Sequence, residues 1–285
     1  MKSRVEIKRQ ARQAVAAQRG AVIVNVLLLM LVTGCSSLVP FGGYILPPIL
    51  TVGSAFVFLQ VYVGQKTEAK SIFSGFRQFG RNLGTMLLVR LITTVPAILT
   101  YIISISMYVV FMFSLGNMTR TFAYMSPEEI FLWFTSTMGV LFVVFVVLIA
   151  ITLAWSIVVP LFFFPAPYIL SDSPSLRSMS AFRLAVKMMK GRKASLFAFQ
   201  WSFIGWILLG ILPIFLFFAS IPAMVASPAV GAALMVLLTF LGYFAVMVYM
   251  ICFLSPYMDT SLAGFYLEMK EDALQKGDVV AQDFQ

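Results

Sequence analysis

The chain contains no histidine and only two cysteines, Cys35 and Cys252, in 285 residues. Without imidazole and with so little thiol, a zinc site, a Ser-His-type triad and a disulfide framework all lack their parts. Charge is scarce as well. Charged residues make up 11% of the chain, and 11 acids face 20 bases for a net charge of +9. No pair of carboxylates lies inside an apolar segment and no glycine-rich phosphate loop is present, so acid–base, metal and phosphoryl chemistry have no residue set to work with. An enzyme is therefore the least favoured reading, and neither a cofactor nor a metal is expected. The basic excess is also not read as a nucleic-acid footprint, because the chain is 61% hydrophobic, well above the roughly 45–50% apolar usage of soluble domains.

Long unbroken apolar runs such as Met138 to Trp155 exclude a β-barrel, whose strands alternate over short segments. The expected fold class is an all-α membrane protein, a single polytopic domain over 1–285. Six spans are placed at about 20–39, 44–64, 83–115, 130–164, 195–221 and 229–254. The third and fourth exceed the length a bilayer needs and contain Pro96 and Pro160, so they are expected to tilt or kink. Ser126-Pro127-Glu128-Glu129 reads as a helix start. Eighteen of the twenty basic residues fall on one side of this scheme, leaving Arg90 and Arg120. By the positive-inside rule both termini are then cytoplasmic. Val32-Thr33-Gly34-Cys35 has the form of a lipoprotein cleavage box, but a multi-span chain needs no lipid anchor and the full-length chain is expected.

Between the fourth and fifth apolar segments lies a charged amphipathic passage. Met179, Phe182, Val186 and Met189 fall at spacings of 3, 4 and 3 and are expected to form an interfacial apolar face; Arg183, Lys187 and Lys190 lie beside it and are candidates for contact with anionic lipid headgroups. Ser173 and Pro174 are expected to start this helix, with Asp172 assisting the cap, and Gly191 to end it. Phe73, Phe76 and Phe79, with Lys66, Lys70, Arg77 and Arg81 nearby, mark a second interfacial helix. The basic stretch before the first span is a third, and its Arg12 to Gly20 aligns without gaps on Arg183 to Gly191 as a weak internal repeat. Inside the membrane the polar candidates are Arg90, Gln60 and Gln200. Arg90 either snorkels to headgroups or meets Gln60 or Gln200 in a polar cavity. Asn25, Gln60, Gln200 and Ser202 are expected to hydrogen-bond between helices. Asp259 is either solvated or paired with a base of the amphipathic helix between the fourth and fifth apolar segments.

Tyr168 to Pro174 (YILSDSP), the following KMMKG, LFAFQWSFIGW, the N-terminal MKSRVEIKRQARQAV, SIFSGFRQF and the closing SPYMDTSLAGFYLEM together resemble the bacterial integral membrane family known as domain of unknown function 975. In that family Ser171 to Pro174 commonly reads Ala-Asp-Asn-Pro; this chain keeps Asp172 and Pro174 and departs at Ser171 and Ser173. The resemblance implies a multi-span protein of the bacterial cell membrane and carries over no catalytic residue. The favoured function is a non-enzymatic scaffold or membrane-homeostasis component that binds anionic lipid or a membrane-protein partner. The alternative is a transporter or permease for an apolar or lipid-like cargo, which would need no intramembrane charge cluster.

Overall fold

A computed structural model describes residues 2–118, 124–219 and 221–284, and every regular element among them is helical. In chain order these are α1 (Arg4–Ala17), α2 (Arg19–Ser36), α3 (Gly42–Val63), a 3-10 helix (Ala69–Gln78), α4 (Phe79–Met118), α5 (Pro127–Phe163), α6 (Ala166–Asp172), α7 (Ser178–Met188), α8 (Lys193–Trp201), α9 (Ile204–Leu208), α10 (Leu212–Ala219), α11 (Ile221–Ala226), α12 (Pro228–Tyr249) and α13 (Ser255–Gln275). Five helical stretches are long and apolar enough to cross a bilayer, and a sixth is added if Lys193–Trp206 and Leu209–Phe215, bent by 43° to each other, form one span. These lengths mark a multi-pass membrane protein.

Several boundaries follow from local chemistry. At the start of α5 the Ser126 N–H donates to Glu129 Oε2 (2.8 Å) and the Glu129 N–H to Ser126 Oγ (3.3 Å), the reciprocal bonds of a capping box. α4 runs through Pro96 as one helix of 40 residues. Between α12 and α13 a π-helical turn at Met250–Leu254 carries the chain past the sixth apolar segment without a loop. Arg120, assigned by sequence to an outer loop, lies outside the described residues.

The chain divides into two units, one of Met1–Leu87 with Phe162–Gln285 and one of Leu88–Leu161. In the second unit the hydroxyls of Thr100 and Thr152 hydrogen-bond across α4 and α5, and the Trp155 indole donates to the Ile92 carbonyl at 3.2 Å. Most of its large side chains, such as Val110, Phe113 and Phe142, are exposed, as suits lipid-facing helices. Arg90 is half-buried in this unit, whereas Gln60 and Gln200 belong to the first.

In the first unit α3 is the central element, packed by α1, α2, α6, α13 and the 3-10 helix. α1 buries Ile7, Ala11 and Val15, one face at spacing 4, and packs on α13 and α3. The N-terminal basic helix therefore docks on protein. In the alignment of Arg12 with Arg183 these buried positions fall on Ser178, Phe182 and Val186, none of which is buried in α7, so the sequence repeat is not a repeat of packing. Rings run in contact from Tyr257 through Phe203, Phe199, Phe265, Phe164 and Tyr168 to Tyr266, with centroids 5.1–6.1 Å apart. Tyr168 and Tyr266 are core packing and Tyr257 is half-buried, while Trp201 and Trp206 are exposed.

Candidate functional site

The amphipathic passage is helical, but it begins four residues later than its sequence predicts. Ser173 and Pro174 do not start it: Ser173 ends α6, and α7 opens at Ser178 behind Arg177 without a side-chain cap. The cause is Arg81, whose guanidinium donates to the carbonyls of Leu170 (2.6 Å) and Ser173 (2.9 Å), satisfying the end of α6 where a new helix would otherwise begin. Asp172 is thus no N-cap. It pairs with Lys270 and accepts from the Tyr266 hydroxyl, which offsets its unfavourable place at a helix C-terminus.

The face assignment of α7 also changes. Ala181, Leu184, Ala185 and Met188 are buried, packed towards α6 and α13. Of the four residues assigned to a lipid-facing apolar stripe, Met179 is exposed, Phe182 and Val186 are half-buried, and Met189 is fully buried. Phe182 stacks on Phe163 at 5.0 Å. The two stripes are neighbours on the wheel, and the small residues Ala181 and Ala185 permit the closer approach. What α7 leaves outward is its basic edge: Arg183, Lys187 and Lys190 are all exposed. Lys187 contacts Asp283 at 2.9 Å, while Arg183 and Lys190 have no acidic partner among the described residues. Gly191 follows with φ of 76°, the left-handed turn expected at that glycine.

Beside α7 lies a residue the sequence reading counted only as a charge. The Arg192 guanidinium is buried and reaches Asp278 at 2.6 Å and Asp272 at 2.9 Å, while Lys276 bonds Asp272 at 3.0 Å. Burial opposes the Arg192 cation, but the hydrogen bonds it donates to the two carboxylates more than offset this, so its pKa is raised. The signal in the sequence was a base flanked by acids 80 and 86 positions away, which no local pattern reveals. Val279 is buried between these acids and Asp283, so the C-terminal segment is strapped to α7 and α13. At the other terminus Lys2 Nζ meets Glu268 at 2.7 Å, and the hydrogen bond it donates to Glu268 raises the Lys2 pKa. Asp259 accepts from Ser255 of its own helix at 3.0 Å and is not paired with α7.

The passage from residue 65 to 78 is not a simple surface connection. It doubles back along α3. A Cβ on Gly53 would lie 1.7 Å from the Ile72 carbonyl oxygen, and one on Gly75 would lie 2.2 Å from that of Ile49, so glycine on each side lets two backbones touch. With three residues per turn, Phe73, Phe76 and Phe79 stack in a column on the outer face, with ring centroids 6.2 and 6.4 Å apart. Lys70 and Glu68 pair with each other, and their side chains stay 83% and 66% exposed; Arg77 is exposed too. These charges accompany a backbone that touches the middle of α3. Each charge at a bilayer centre costs about 2.5–3.5 kcal/mol on insertion scales.

Asn25, expected to bond between helices, instead donates to the carbonyl of Ala21 in its own helix (2.9 Å) and to that of Glu68 in the segment before the 3-10 helix (3.4 Å). The Gln60 Oε1 is buried and has no partner among the described residues. Ser202 bonds locally to the Phe199 carbonyl. No group of three or more potential metal ligands comes together among the described residues.

The family model for proteins of unknown function named DUF975 matches residues 1–273, nearly the whole chain. The chain belongs to the DUF975 family. No curated protein and no solved structure is similar enough to match it. For this DUF975 protein the surface features above are therefore the functional evidence: an exposed basic edge on α7 beside an internal ion-pair network, and a phenylalanine column along the 3-10 helix and the start of α4.

Proposed function

We propose that this is a non-enzymatic component of the bacterial cell membrane, with both termini in the cytoplasm, that binds anionic lipid or a membrane-protein partner as a scaffold or in membrane homeostasis. The observation that carries the reading is the division of labour on α7. Its buried face is occupied by protein, while Arg183 and Lys190 are exposed and have no acidic partner among the described residues. Headgroup attraction is then electrostatic, worth about 1 kcal/mol per basic residue and weakened by salt. A transporter of apolar or lipid-like cargo is the second reading, favoured by the 43° break between Lys193–Trp206 and Leu209–Phe215, since interrupted spans line cargo sites in transporters.

The test is native mass spectrometry of the gently extracted protein beside a variant with Arg183, Lys187 and Lys190 all changed to Glu. The wild type is expected to retain anionic lipid. Three contributions of about 1 kcal/mol predict a loss of roughly two orders of magnitude in affinity for the variant. Equal retention by both proteins would remove α7 from the proposal, and a retained protein in place of lipid would identify the partner branch.

A further inference from the structure

α2 and α3 form a tight hairpin. Gly42 packs against the Ser36 carbonyl, where a Cβ would lie 2.3 Å away, and the open end is pinned by Gln18, which donates to the Gln65 carbonyl (2.7 Å) and accepts from the Thr67 N–H (3.0 Å). Both helices are long and apolar enough to span, and no charged residue lies between Arg19 and Lys66. Polar and charged groups, however, climb beside the hairpin to the middle of α3. The Ile72 carbonyl touches Gly53, which is about 15 Å along the helix from Val63. Ser171 Oγ donates to the Val52 carbonyl at 2.8 Å, next to the Asp172–Lys270 pair. Gly75, against Ile49, accepts from Asn82 at 2.7 Å, the neighbour of Arg81. If α3 crossed the bilayer, its midpoint would sit among exposed Lys70, Glu68 and Arg77 and this ion pair, where only acyl chains are available.

Beyond Ile49 the character reverses. The remaining part of α3 is about 10 Å long, and the tip carries Leu38 at 84%, Val39 at 60% and Phe41 at 77% exposure. No charge lies there. We infer that the α2–α3 hairpin does not cross the membrane but enters one leaflet from the side of Lys66, burying the tip from Leu38 to Tyr44 among acyl chains while the 3-10 helix and α6 hold its base at the headgroups. The depth fits: the hydrocarbon of one leaflet is about 15 Å thick, half of a core of about 30 Å. The phenylalanine column of the 3-10 helix then lies at the headgroup boundary, where aromatic rings flanked by bases are favoured. A wedge in one leaflet leaves four crossings in place of six and keeps both termini on the same side, so the basic-residue asymmetry is unaffected. The inference holds whether the protein binds lipid, a partner or a cargo.

Cys35, exposed near the tip, supplies the probe. The full chain with Cys252→Ser is labelled at Cys35 with a small fluorophore and reconstituted in vesicles containing anionic lipid; Lys66→Cys and Ser227→Cys, each also carrying Cys35→Ser, mark the two aqueous faces. The expected result is loss of quenching by aqueous iodide from both faces at position 35, with the strongest quenching from lipids brominated along the chain. Quenching by iodide from the face of position 227 would mean a full crossing and would overturn the inference. Quenching from the face of position 66 would put the tip in water and overturn it equally.

Discussion

Replacing Gly53 with Ala probes a place where the backbones of α3 and the 3-10 helix touch. The new methyl would lie 1.7 Å from the Ile72 oxygen, 2.7 Å from its carbonyl carbon and 3.4 Å from its Cα. A comfortable carbon–oxygen contact is about 3.3 Å, so the 3-10 helix would have to lift from α3 by about 1.5 Å. No side-chain rotation can relieve this, because every atom met is backbone. Overpacking of this kind costs about 1–3 kcal/mol, and we expect the upper part of that range. At about 2–4 °C per kcal/mol, the scale for chains of about 150–250 residues, a cost of about 2–3 kcal/mol should lower the midpoint of thermal unfolding in detergent by roughly 4–12 °C. Gly75→Ala, with a contact of 2.2 Å to the Ile49 oxygen, should behave alike. Gly34→Ala is the control: it lies in α2 with nothing within 4 Å, so the ordinary gain of about 0.5–1 kcal/mol for alanine in a helix should leave it equal to or above wild type. If scanning fluorimetry finds Gly53→Ala as stable as Gly34→Ala, the 3-10 helix does not lie against α3, and the wedge argument loses its support too.

Arg192→Met should cost about 2 kcal/mol: less than the 3–5 kcal/mol for breaking a fully buried pair, because Asp278 is half-exposed and Asp272 keeps Lys276. Asp278→Asn should cost under about 1 kcal/mol, and a reversed order in thermal unfolding would refute the network. The Asp283 carboxyl, bonded by Lys187 and the Val280 N–H, is held below its ordinary 3.8. A depressed native pKa stabilises docking above the ordinary value and is lost as pH falls through the native one. Hydrogen exchange over residues 277–284 should therefore stay slow at about pH 5 and accelerate only below the ordinary carboxylate range; release at about pH 5–6 would assign the strap to another group.

The helical class and the start of α5 were legible because apolar run length and the Ser126–Glu129 pair are local signals. The beginning of α7 was not, because Ser173 and Pro174 form a good cap in isolation and only the distant Arg81 overrides it. The face of α7 was displaced by one position for a related reason. Met179 and Phe182 outrank Ala181 and Ala185 in hydrophobicity, but close packing selects the small residues. The phenylalanine spacing of three was visible in the sequence, yet its 3-10 geometry and its place against α3 depend on Gly53, which lies in another segment. Arg192 was hidden for want of any local partner. The basic edge of Arg183, Lys187 and Lys190 was legible because surface charge needs no tertiary information.

The family match ends at residue 273, whereas Asp278, Val279 and Asp283 lie beyond it. The counter-ions of Arg192 and Lys187 are thus in part supplied by residues outside the matched range. Cutting the chain after Gln275 would remove one lysine and two aspartates and raise the net charge only from +9 to +10, yet it would strip acids from two cations on one face. The basicity of that face is thus set in part by residues outside α7, and can change while α7 itself does not.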